Sequence, residues 1–272
     1  MGMGRDETTA GALSRLEAIL AAMKSLVAAF SGGVDSTLLL AVARRVLGEA
    51  VLAVTAESAT TAAHEMSEAV RFAADMGVEH LIIESREMDD PEFVKNGTDR
   101  CYTCKSGRFA AIAAIAKEKG MAFVADGSNI DDLSDFRPGM RAVRELGVRS
   151  PLIEAGLSKA EVRLLSRQLG LPTWDKPAYA CLATRIPCGS PITVEKLRRI
   201  DACEELVRAM SISRQVRVRD YGDTARIEVA GEDMEKMVER GSRERITAFC
   251  KELGFRFVTL DLRGYTMGST NI

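Results

Sequence analysis

One six-residue segment constrains the fold of this chain more than any other feature. Residues 31–36 read Ser-Gly-Gly-Val-Asp-Ser and lie between an apolar run at 25–30 and an amphipathic stretch at 37–47. This order predicts a β-strand, a glycine turn and the start of an α-helix. Because a helix N-terminus presents backbone N–H groups and the positive end of the helix dipole, such a turn favours an anion.

The residue types of this turn indicate a phosphate site. Gly32 and Gly33 let the backbone approach a phosphate closely, and Ser31 and Ser36 add hydroxyl groups. Asp35 repels phosphates unless a cation lies between them, so the turn predicts ATP with Mg²⁺ near its pyrophosphate. The alternative is an ordinary strand-to-helix turn in which Asp35 is an N-cap. The GxxxxGK[ST] phosphate loop is excluded because its lysine is absent.

Strand and helix patterns alternate over the first 170 residues. Strands are predicted at 51–55, 80–84 and 121–125, and helices at 60–76, 105–119 and 158–168. The alternation indicates an α/β fold with a doubly wound parallel sheet, in which ligands lie at the carboxyl ends of the strands. Ser31, Glu57 and Asp126 all fall at such ends.

The pattern changes near residue 171, where prolines crowd a loop-like segment. The remaining elements are a helix at 194–210, a hairpin at 215–229, a helical stretch at 232–253 broken at Gly241, and a strand at 255–260. We therefore predict two domains, residues 1–176 and residues 177–272, of which the second is a smaller α+β domain.

Composition narrows the classes of partner. The 272 residues carry a net charge of −2, which gives no basic field for nucleic acid. The chain has no 18-residue uncharged apolar run and no apolar signal-peptide core near its N-terminus, so we expect a cytoplasmic protein without a membrane partner. In that compartment six cysteines favour metal or catalytic roles over a disulfide framework.

Three cysteines follow one another closely in the second region. Cys181 and Cys188 share a proline-rich loop, and Cys203 lies on the following predicted helix. Three thiolates can hold three irons of a [4Fe–4S] cluster and leave one iron open. The alternatives are a single reactive Cys181, a zinc site, and a Cys203 that is merely buried. A further CxxC pair at 101–104 is either reactive or structural, and Cys250 is predicted to be core.

The chain resembles the PP-loop ATP pyrophosphatases, and among them the ATP-dependent sulfur transferases called LarE. The matching segments are SGGVDS at 31, DRCYTCK at 99, DGSNIDDLSDFRPGMRA at 126, SPLIEAGLSKAEVR at 150, PAYACLATRIPCG at 177, RVRDYGDTARIE at 217 and VTLDLRGYTMGS at 258. The resemblance implies adenylation of a carboxylate of pyridinium-3,5-biscarboxylic acid mononucleotide, release of pyrophosphate, and insertion of sulfur. The product is a thiocarboxylate of the nickel-pincer nucleotide cofactor.

The resemblance also implies roles for particular residues. The phosphates of ATP are assigned to Ser31, Gly32, Gly33, Asp35 and Ser36, the adenosine to Glu57 and Ser58, and the rest of the nucleotide pocket to Gly127 and Asn129. The substrate phosphate is assigned to Arg217 and Arg219, with Glu228 nearby, and a solvated strand face is their alternative. Arg185 either steadies the adenylate or keeps a thiolate ionised. Asp131, Asp132, Asp135 and Arg137 are either solvated or contact metal or substrate.

The sulfur source divides the family. In one group a single cysteine, at the position of Cys181, gives up its sulfur and becomes dehydroalanine. In the other group three cysteines bind a [4Fe–4S] cluster whose open iron carries an exogenous sulfide. Cys188 and Cys203 favour the second group, because the single-cysteine forms commonly have tyrosine at the position of Cys188.

Two other functions compete with this one. A tRNA thiolase of the same superfamily would also adenylate its substrate, but such enzymes usually bring an RNA-binding module or zinc ribbons, and the sequence shows neither. A nucleotide sensor without catalysis would need the phosphate turn but neither the cysteine triad nor the arginine pair. The resemblance further implies a homo-oligomer.

Overall fold

The computed structural model describes residues 3–133, 138–178 and 180–266, with side chains from residue 11 onward. The chain divides into two units. The first comprises Met1–Ser58, Glu65–Glu87 and Cys101–Ala178, and the second comprises Ala59–His64, Met88–Arg100 and Tyr179–Ile272. No helix in the described ranges is long and apolar enough to cross a membrane.

Helices and strands alternate through the first unit and continue into the second. In chain order they are α1 (Met3–Met23), β1 (Leu26–Ala29), α2 (Val34–Leu47), β2 (Val51–Glu57), α3 (Ala63–Asp75), β3 (Glu79–Glu84), α4 (Pro91–Val94), α5 (Arg100–Glu118), β4 (Phe123–Ala125), α6 (Gly139–Glu145), α7 (Pro151–Glu154), α8 (Lys159–Gln168), α9 (Val194–Ala209), β5 (Val216–Asp220), β6 (Thr224–Val229), α10 (Met234–Val238), α11 (Arg240–Glu252) and β7 (Phe257–Leu260).

The first unit is built on a four-stranded parallel sheet of order β3-β2-β1-β4. The central strands are aliphatic and buried on both faces. Leu26 and Ala28 pack with α1, α2 and α8, whereas Val27 packs on the opposite side with α5. Helices on both faces confirm the predicted doubly wound α/β fold. Each aliphatic side chain buried in this way contributes about 1.5–3 kcal/mol relative to exposure.

The carboxyl ends of the parallel strands meet at one edge of the sheet. The turn at 30–33 follows β1, Glu57 ends β2, and Asp126 follows β4. The three predicted ligand-binding segments of this unit therefore share one edge, as a parallel sheet requires.

The second unit has a three-stranded sheet in which β5 pairs antiparallel with β6, and β6 pairs parallel with β7. One face packs its alternate residues, such as Val218 and Ile227, against α9 and α11. The other face carries Arg217, Arg219 and Glu228, since side chains alternate along a strand. The predicted hairpin is present.

The predicted helix break at Gly241 is wrong. Gly241 lies within α11, and the break falls at Glu239, whose backbone is extended at φ −52° and ψ 141°. Glycine weakens a helix mainly in its interior, so a glycine in the exposed first turn of α11 is tolerated. The helix predicted from residue 105 also starts earlier, at Arg100.

Candidate active site

Hydrogen bonds of Ser31 and Ser36 close the phosphate turn at residues 31–36. The Ser31 and Ser36 hydroxyl oxygens lie 3.1 Å apart, and the Ser36 hydroxyl donates to the Gly33 carbonyl at 3.2 Å. Gly33 is the N-cap of α2 and has no side chain to occupy the first-turn N–H groups. The turn therefore has the donors and the helix dipole that an anion needs.

Gly32 is required by both its conformation and its surroundings. Its φ is +65°, and a Cβ placed on it would lie 3.1 Å from the Ala69 Cα of α3. The buried Lys176 ammonium fixes the same residue, because it donates to the Gly32 carbonyl at 2.9 Å and pairs with Glu68 at 2.6 Å. Pattern reasoning missed Lys176, whose contact with Gly32 spans 144 residues.

Asp35 is held by two residues from distant parts of the chain. The Asn129 side-chain amide donates to one carboxylate oxygen at 3.1 Å, and the Lys159 ammonium pairs with the other. The structure thus brings together Asp35 and Asn129, as the resemblance implied, and adds Lys159. Lys159 begins α8 directly after the N-cap Ser158, so the sequence predicts that it lies on a helix. The sequence does not predict its contact with Asp35.

The segment after β4 packs against the start of α2. A Cβ on Gly127 would lie only 2.8 Å from the Ser36 backbone nitrogen, so a side chain does not fit there. Two nearby acidic side chains accept hydrogen bonds from the backbone. Asp132 accepts from the Asn129 N–H at 3.0 Å, and Asp131 accepts from the Lys159 N–H at 2.9 Å. Asp135 and Arg137 lie outside the described residues.

Ser58 lies in a charged cluster at the end of β2. Its hydroxyl donates to Glu87 at 2.5 Å, and the Arg108 guanidinium also contacts both Glu87, at 2.5 Å, and Ser58, at 3.2 Å. Burial alone raises the pKa of Glu87, but Arg108 and the hydroxyls of Ser58 and Ser85 hold it below its ordinary value. Glu57 is exposed beside this cluster. No sequence pattern indicated Glu87 or Arg108.

In the second unit, Arg185 contacts the backbone of the Cys181 loop. Its Nη1 donates to the Cys181 carbonyl at 3.0 Å and also contacts the Ala180 carbonyl. The Arg185 side chain is buried, whereas Cys181 is half-buried. Arg185 therefore contacts the peptide backbone of Cys181.

Glu204 fixes Arg185 in place. Its two carboxylate oxygens accept from Arg185 Nε at 2.9 Å and Nη2 at 3.1 Å, and one also accepts from the Val218 N–H at 3.0 Å. The residue is fully buried. Burial raises the pKa of Glu204, but Arg185, together with Arg217 and Arg208, more than offsets this and the pKa lies below its ordinary value. Glu204 was missed because a glutamate on a polar helix resembles a surface residue.

The predicted arginine pair lies on β5, where both side chains are buried. Arg219 forms a two-pronged pair with Glu228 at 2.8 and 3.1 Å, and Arg217 lies over the Tyr265 ring at 5.2 Å. Burial and the neighbouring Arg185 guanidinium lower the pKa of Arg217. Arg185, Arg217 and Arg219 are all buried, and among the described residues Glu204 pairs with Arg185 and Glu228 pairs with Arg219.

The cysteines do not match the ligand set of a cluster. Cys203 is buried with its sulfur 3.2 Å from that of Cys250, while Cys188 is exposed. Within the described ranges no group of three His, Cys, Asp or Glu side chains is arranged to hold a metal. The hydrogen bond with Cys250 and burial both raise the pKa of Cys203. Because its sulfur contacts that of Cys250, Cys203 is not grouped with Cys181 and Cys188 among the described residues.

The chain is similar to several known proteins. Residues 16–97, which include the phosphate turn, match the asparagine synthase family. The chain is 42% identical to the uncharacterized protein slr1717 of Synechocystis over 95% of this chain and 96% of the relative. It is 28% identical to a glutamine-hydrolysing GMP synthase of Aeropyrum pernix over 67% of this chain and 39% of that protein.

One relative is named for an activity and matches nearly the whole chain. It is the pyridinium-3,5-bisthiocarboxylic acid mononucleotide synthase of Lactiplantibacillus plantarum, 35% identical over 97% of this chain and 95% of the relative. With the parallel sheet and its phosphate turn, this match makes the chain a member of the LarE family of sulfurtransferases in the PP-loop ATP pyrophosphatase superfamily.

Proposed function

We propose that this protein adenylates a carboxylate of pyridinium-3,5-biscarboxylic acid mononucleotide with ATP and then exchanges AMP for sulfur. The observation that carries the proposal is Asp35, held by Asn129 and Lys159 at the N-terminus of α2. A carboxylate and a lysine at a glycine turn are suited to a nucleotide whose phosphates arrive with a cation. The 35% identical relative is named for the bisthiocarboxylic product.

The chemistry requires activation because a carboxylate has no good leaving group. A substrate carboxylate oxygen attacks the α-phosphorus of ATP, the bond to the β-phosphate oxygen breaks, and pyrophosphate leaves. We assign the phosphates to Ser31, Gly33, Ser36 and the first-turn N–H groups of α2. Asp35 fits Mg²⁺, which binds through one or two carboxylates together with substrate phosphates and supplies positive charge at the leaving group.

Lys159 adds a positive charge at the same place. It forms an ion pair with Asp35. In the complex, we assign its ammonium group to the departing pyrophosphate, whose charge grows as the bond breaks. Ser58 is assigned to the adenosine side through the Glu87–Arg108 cluster, with Glu57 exposed next to it. Gly127 keeps this edge of the sheet close to α2.

The substrate phosphate is assigned to Arg217 and Arg219. Two buried guanidinium groups on one strand face support this assignment, because a guanidinium group binds phosphate through paired N–H donors. Glu228 orients Arg219 through both of its oxygens.

We propose Cys181 as the sulfur donor. Its thiolate attacks the adenylated carbonyl carbon and AMP leaves, which gives a thioester between substrate and protein. The Cβ–Sγ bond of Cys181 then breaks, so that sulfur stays on the substrate and residue 181 becomes dehydroalanine. The pairing of Cys203 with Cys250 favours this source over a three-cysteine cluster. A homo-oligomer, the division at residues 176 and 177, and a cytoplasmic location stay predictions.

Acceptor-dependent release of pyrophosphate tests the adenylation step. We expect pyrophosphate only when ATP, Mg²⁺ and the biscarboxylic acid mononucleotide are all present, and a loss of at least about 100-fold in Asp35→Asn. Asp75→Asn, an exposed change in α3, is the matched control and should match the wild type. Unchanged pyrophosphate release by Asp35→Asn would contradict the assignment of the phosphate site.

A further inference from the structure

We propose that Thr184 and Arg185 are catalytic residues that stabilise an enolate on the Cys181 carbonyl while Cys181 releases its sulfur. The inference rests on the proposed function, in which Cys181 becomes dehydroalanine. It assigns to these two residues the step after the thioester has formed.

That step is a redox-neutral elimination. A base from solvent takes the Cα proton of Cys181, and the C–H electron pair moves into an enolate whose negative charge lies on the Cys181 carbonyl oxygen. When the carbonyl re-forms, the Cα–Cβ double bond forms and the Cβ–Sγ bond breaks. Sulfur leaves with that electron pair as the thiocarboxylate of the substrate. Because a peptide Cα–H is a weak acid, the charge on the carbonyl oxygen dominates the barrier.

The Cys181 carbonyl oxygen accepts three hydrogen bonds. The Thr184 N–H donates at 3.0 Å, the Thr184 hydroxyl at 2.8 Å and the Arg185 guanidinium at 3.0 Å. A neutral carbonyl oxygen has two lone pairs, so three donors, one of them cationic, exceed what it ordinarily uses. The arrangement suits an oxygen that gains negative charge during the reaction.

Capping of the local 3-10 turn accounts for only part of this arrangement. The backbone bond from Thr184 to Cys181 closes the turn Leu182–Arg185 and is sufficient for it. It does not account for a guanidinium that is 2% exposed and held on the opposite side by Glu204. A buried, immobilised cation acts strongly on a nearby developing charge and needs no reorganisation when the charge forms.

The peptide that carries the enolate is fixed on its other side as well. The Leu182 N–H donates to the Thr60 carbonyl at 3.0 Å, which holds the 181–182 peptide plane. Cys181 itself is half-buried, so its side chain is accessible to the substrate while its carbonyl remains among the donors. The sulfur donor Cys181 and the stabilising residues Thr184 and Arg185 therefore lie within one short loop.

Single-turnover mass spectrometry tests the proposal. Thr184→Val removes the hydroxyl at nearly constant volume, Arg185→Lys keeps the charge but loses the planar fork, and Thr184→Ser keeps a hydroxyl as the matched control. We expect the amount of dehydroalanine formed per pyrophosphate released to fall about 100-fold in the first two variants, with the thioester accumulating. Thr184→Ser should behave like the wild type. Replacing the Cα hydrogen of Cys181 with deuterium, by growth on deuterated cysteine, should slow dehydroalanine formation by a larger factor in Thr184→Val than in wild type.

Different failures have different signatures. Wild-type rates of dehydroalanine formation in both Thr184→Val and Arg185→Lys overturn this inference alone. Pyrophosphate release without any change at Cys181 in wild type overturns Cys181 as the donor, and the inference with it. Absence of acceptor-dependent pyrophosphate in wild type overturns the proposed adenylation. The next measurement does not depend on adenylation, so it tests the inference separately.

A substrate-free measurement covers variants that bind substrate poorly. The reagent 2,5-dibromohexanediamide converts cysteine thiols into cyclic sulfonium adducts that eliminate to dehydroalanine without ATP. The exposed Cys188 is an internal reference in the same protein. We expect the Cys181 adduct to eliminate at least about tenfold faster than the Cys188 adduct, and Thr184→Val to abolish the difference. Equal rates at the two positions in wild type overturn the proposal.

Discussion

Lys159 forms an ion pair with Asp35 although 124 residues separate them in the sequence. Lys159 is the first residue of α8 and Asp35 lies in the first turn of α2. The pair places opposite charges at the phosphate turn. In the proposed function the carboxylate of Asp35 serves the cation and the ammonium group of Lys159 serves the phosphates of ATP.

Replacing Lys159 should weaken use of ATP. We expect Lys159→Gln to lower the second-order rate constant for the single turnover with ATP by about tenfold to 100-fold, since a hydrogen bond to a charged group contributes about 1.5–3 kcal/mol. The measurement is the rate of acceptor-dependent pyrophosphate release in a single turnover over a range of ATP concentrations. Lys117→Gln, an exposed change on α5, is the control. An unchanged rate constant in Lys159→Gln would remove Lys159 from the site.

The phosphate turn should be intolerant of a side chain at residue 32. We expect Gly32→Ala to lower the free energy of unfolding by about 1–3 kcal/mol, because it forces a positive φ and a contact with Ala69. Urea unfolding measures the change. Gly107→Ala on the exposed face of α5 should instead raise stability by up to about 1 kcal/mol, because alanine favours a helix. A stability of Gly32→Ala within roughly 0.5 kcal/mol of wild type, the spread of neutral surface changes, is the contrary result.

Glu204 should make the stability depend on pH in acid. Its pKa is lower in the folded protein than in the unfolded chain, so the ionised carboxylate stabilises the fold above the unfolded pKa. This contribution is lost as the pH falls through the folded pKa. We expect Glu204→Gln to cost about 3–5 kcal/mol at pH 7, since Arg185 is left buried without its partner, and to flatten the acid dependence of stability.

Urea titrations of Glu204→Gln between pH 7 and pH 3 measure both effects. Glu205→Gln, at the neighbouring exposed position, should differ little from wild type. A Glu204→Gln protein as stable as wild type at pH 7, or one with the same acid dependence, would show that the carboxylate does not anchor Arg185.

The pairing of Cys203 with Cys250 gives a prediction for iron. We expect protein purified without oxygen to have the same iron and acid-labile sulfide content in wild type, Cys203→Ser and Cys250→Ser, because Cys203 faces Cys250. Elemental analysis and the visible spectrum provide the measurement. Iron that is present in wild type and lost only in Cys203→Ser would restore the three-thiolate cluster.

The phosphate turn was predictable because its evidence is local. Gly32 and Gly33 interrupt an apolar strand directly before a helical pattern, so six consecutive residues identify the turn. The same reasoning identified Asp126 from the end of its strand. Lys159 and Lys176 escaped it because their contacts with Asp35 and Gly32 span 124 and 144 residues, and no sequence period reports such pairs.

The site residues of the second unit were harder to predict from the sequence, for a related reason. Arg217 and Arg219 lie two residues apart on a strand and share one face, as expected. Their burial, however, depends on what covers that face, which the strand pattern does not reveal. Glu204 looks like a solvent-exposed helix residue until Arg185 and the Val218 N–H are brought to it. Likewise, three closely spaced cysteines suggested a common ligand set, whereas the helical position of Cys203 directs its sulfur to Cys250 on α11.

The most direct test of the proposed function is the mass of the protein after one turnover with ATP, Mg²⁺ and the biscarboxylic acid mononucleotide. We predict that the chain loses the mass of one hydrogen sulfide, that fragmentation places dehydroalanine at position 181, and that pyrophosphate and a thiocarboxylate product appear with it. A thiocarboxylate product formed while Cys181 remains intact would contradict Cys181 as the sulfur donor.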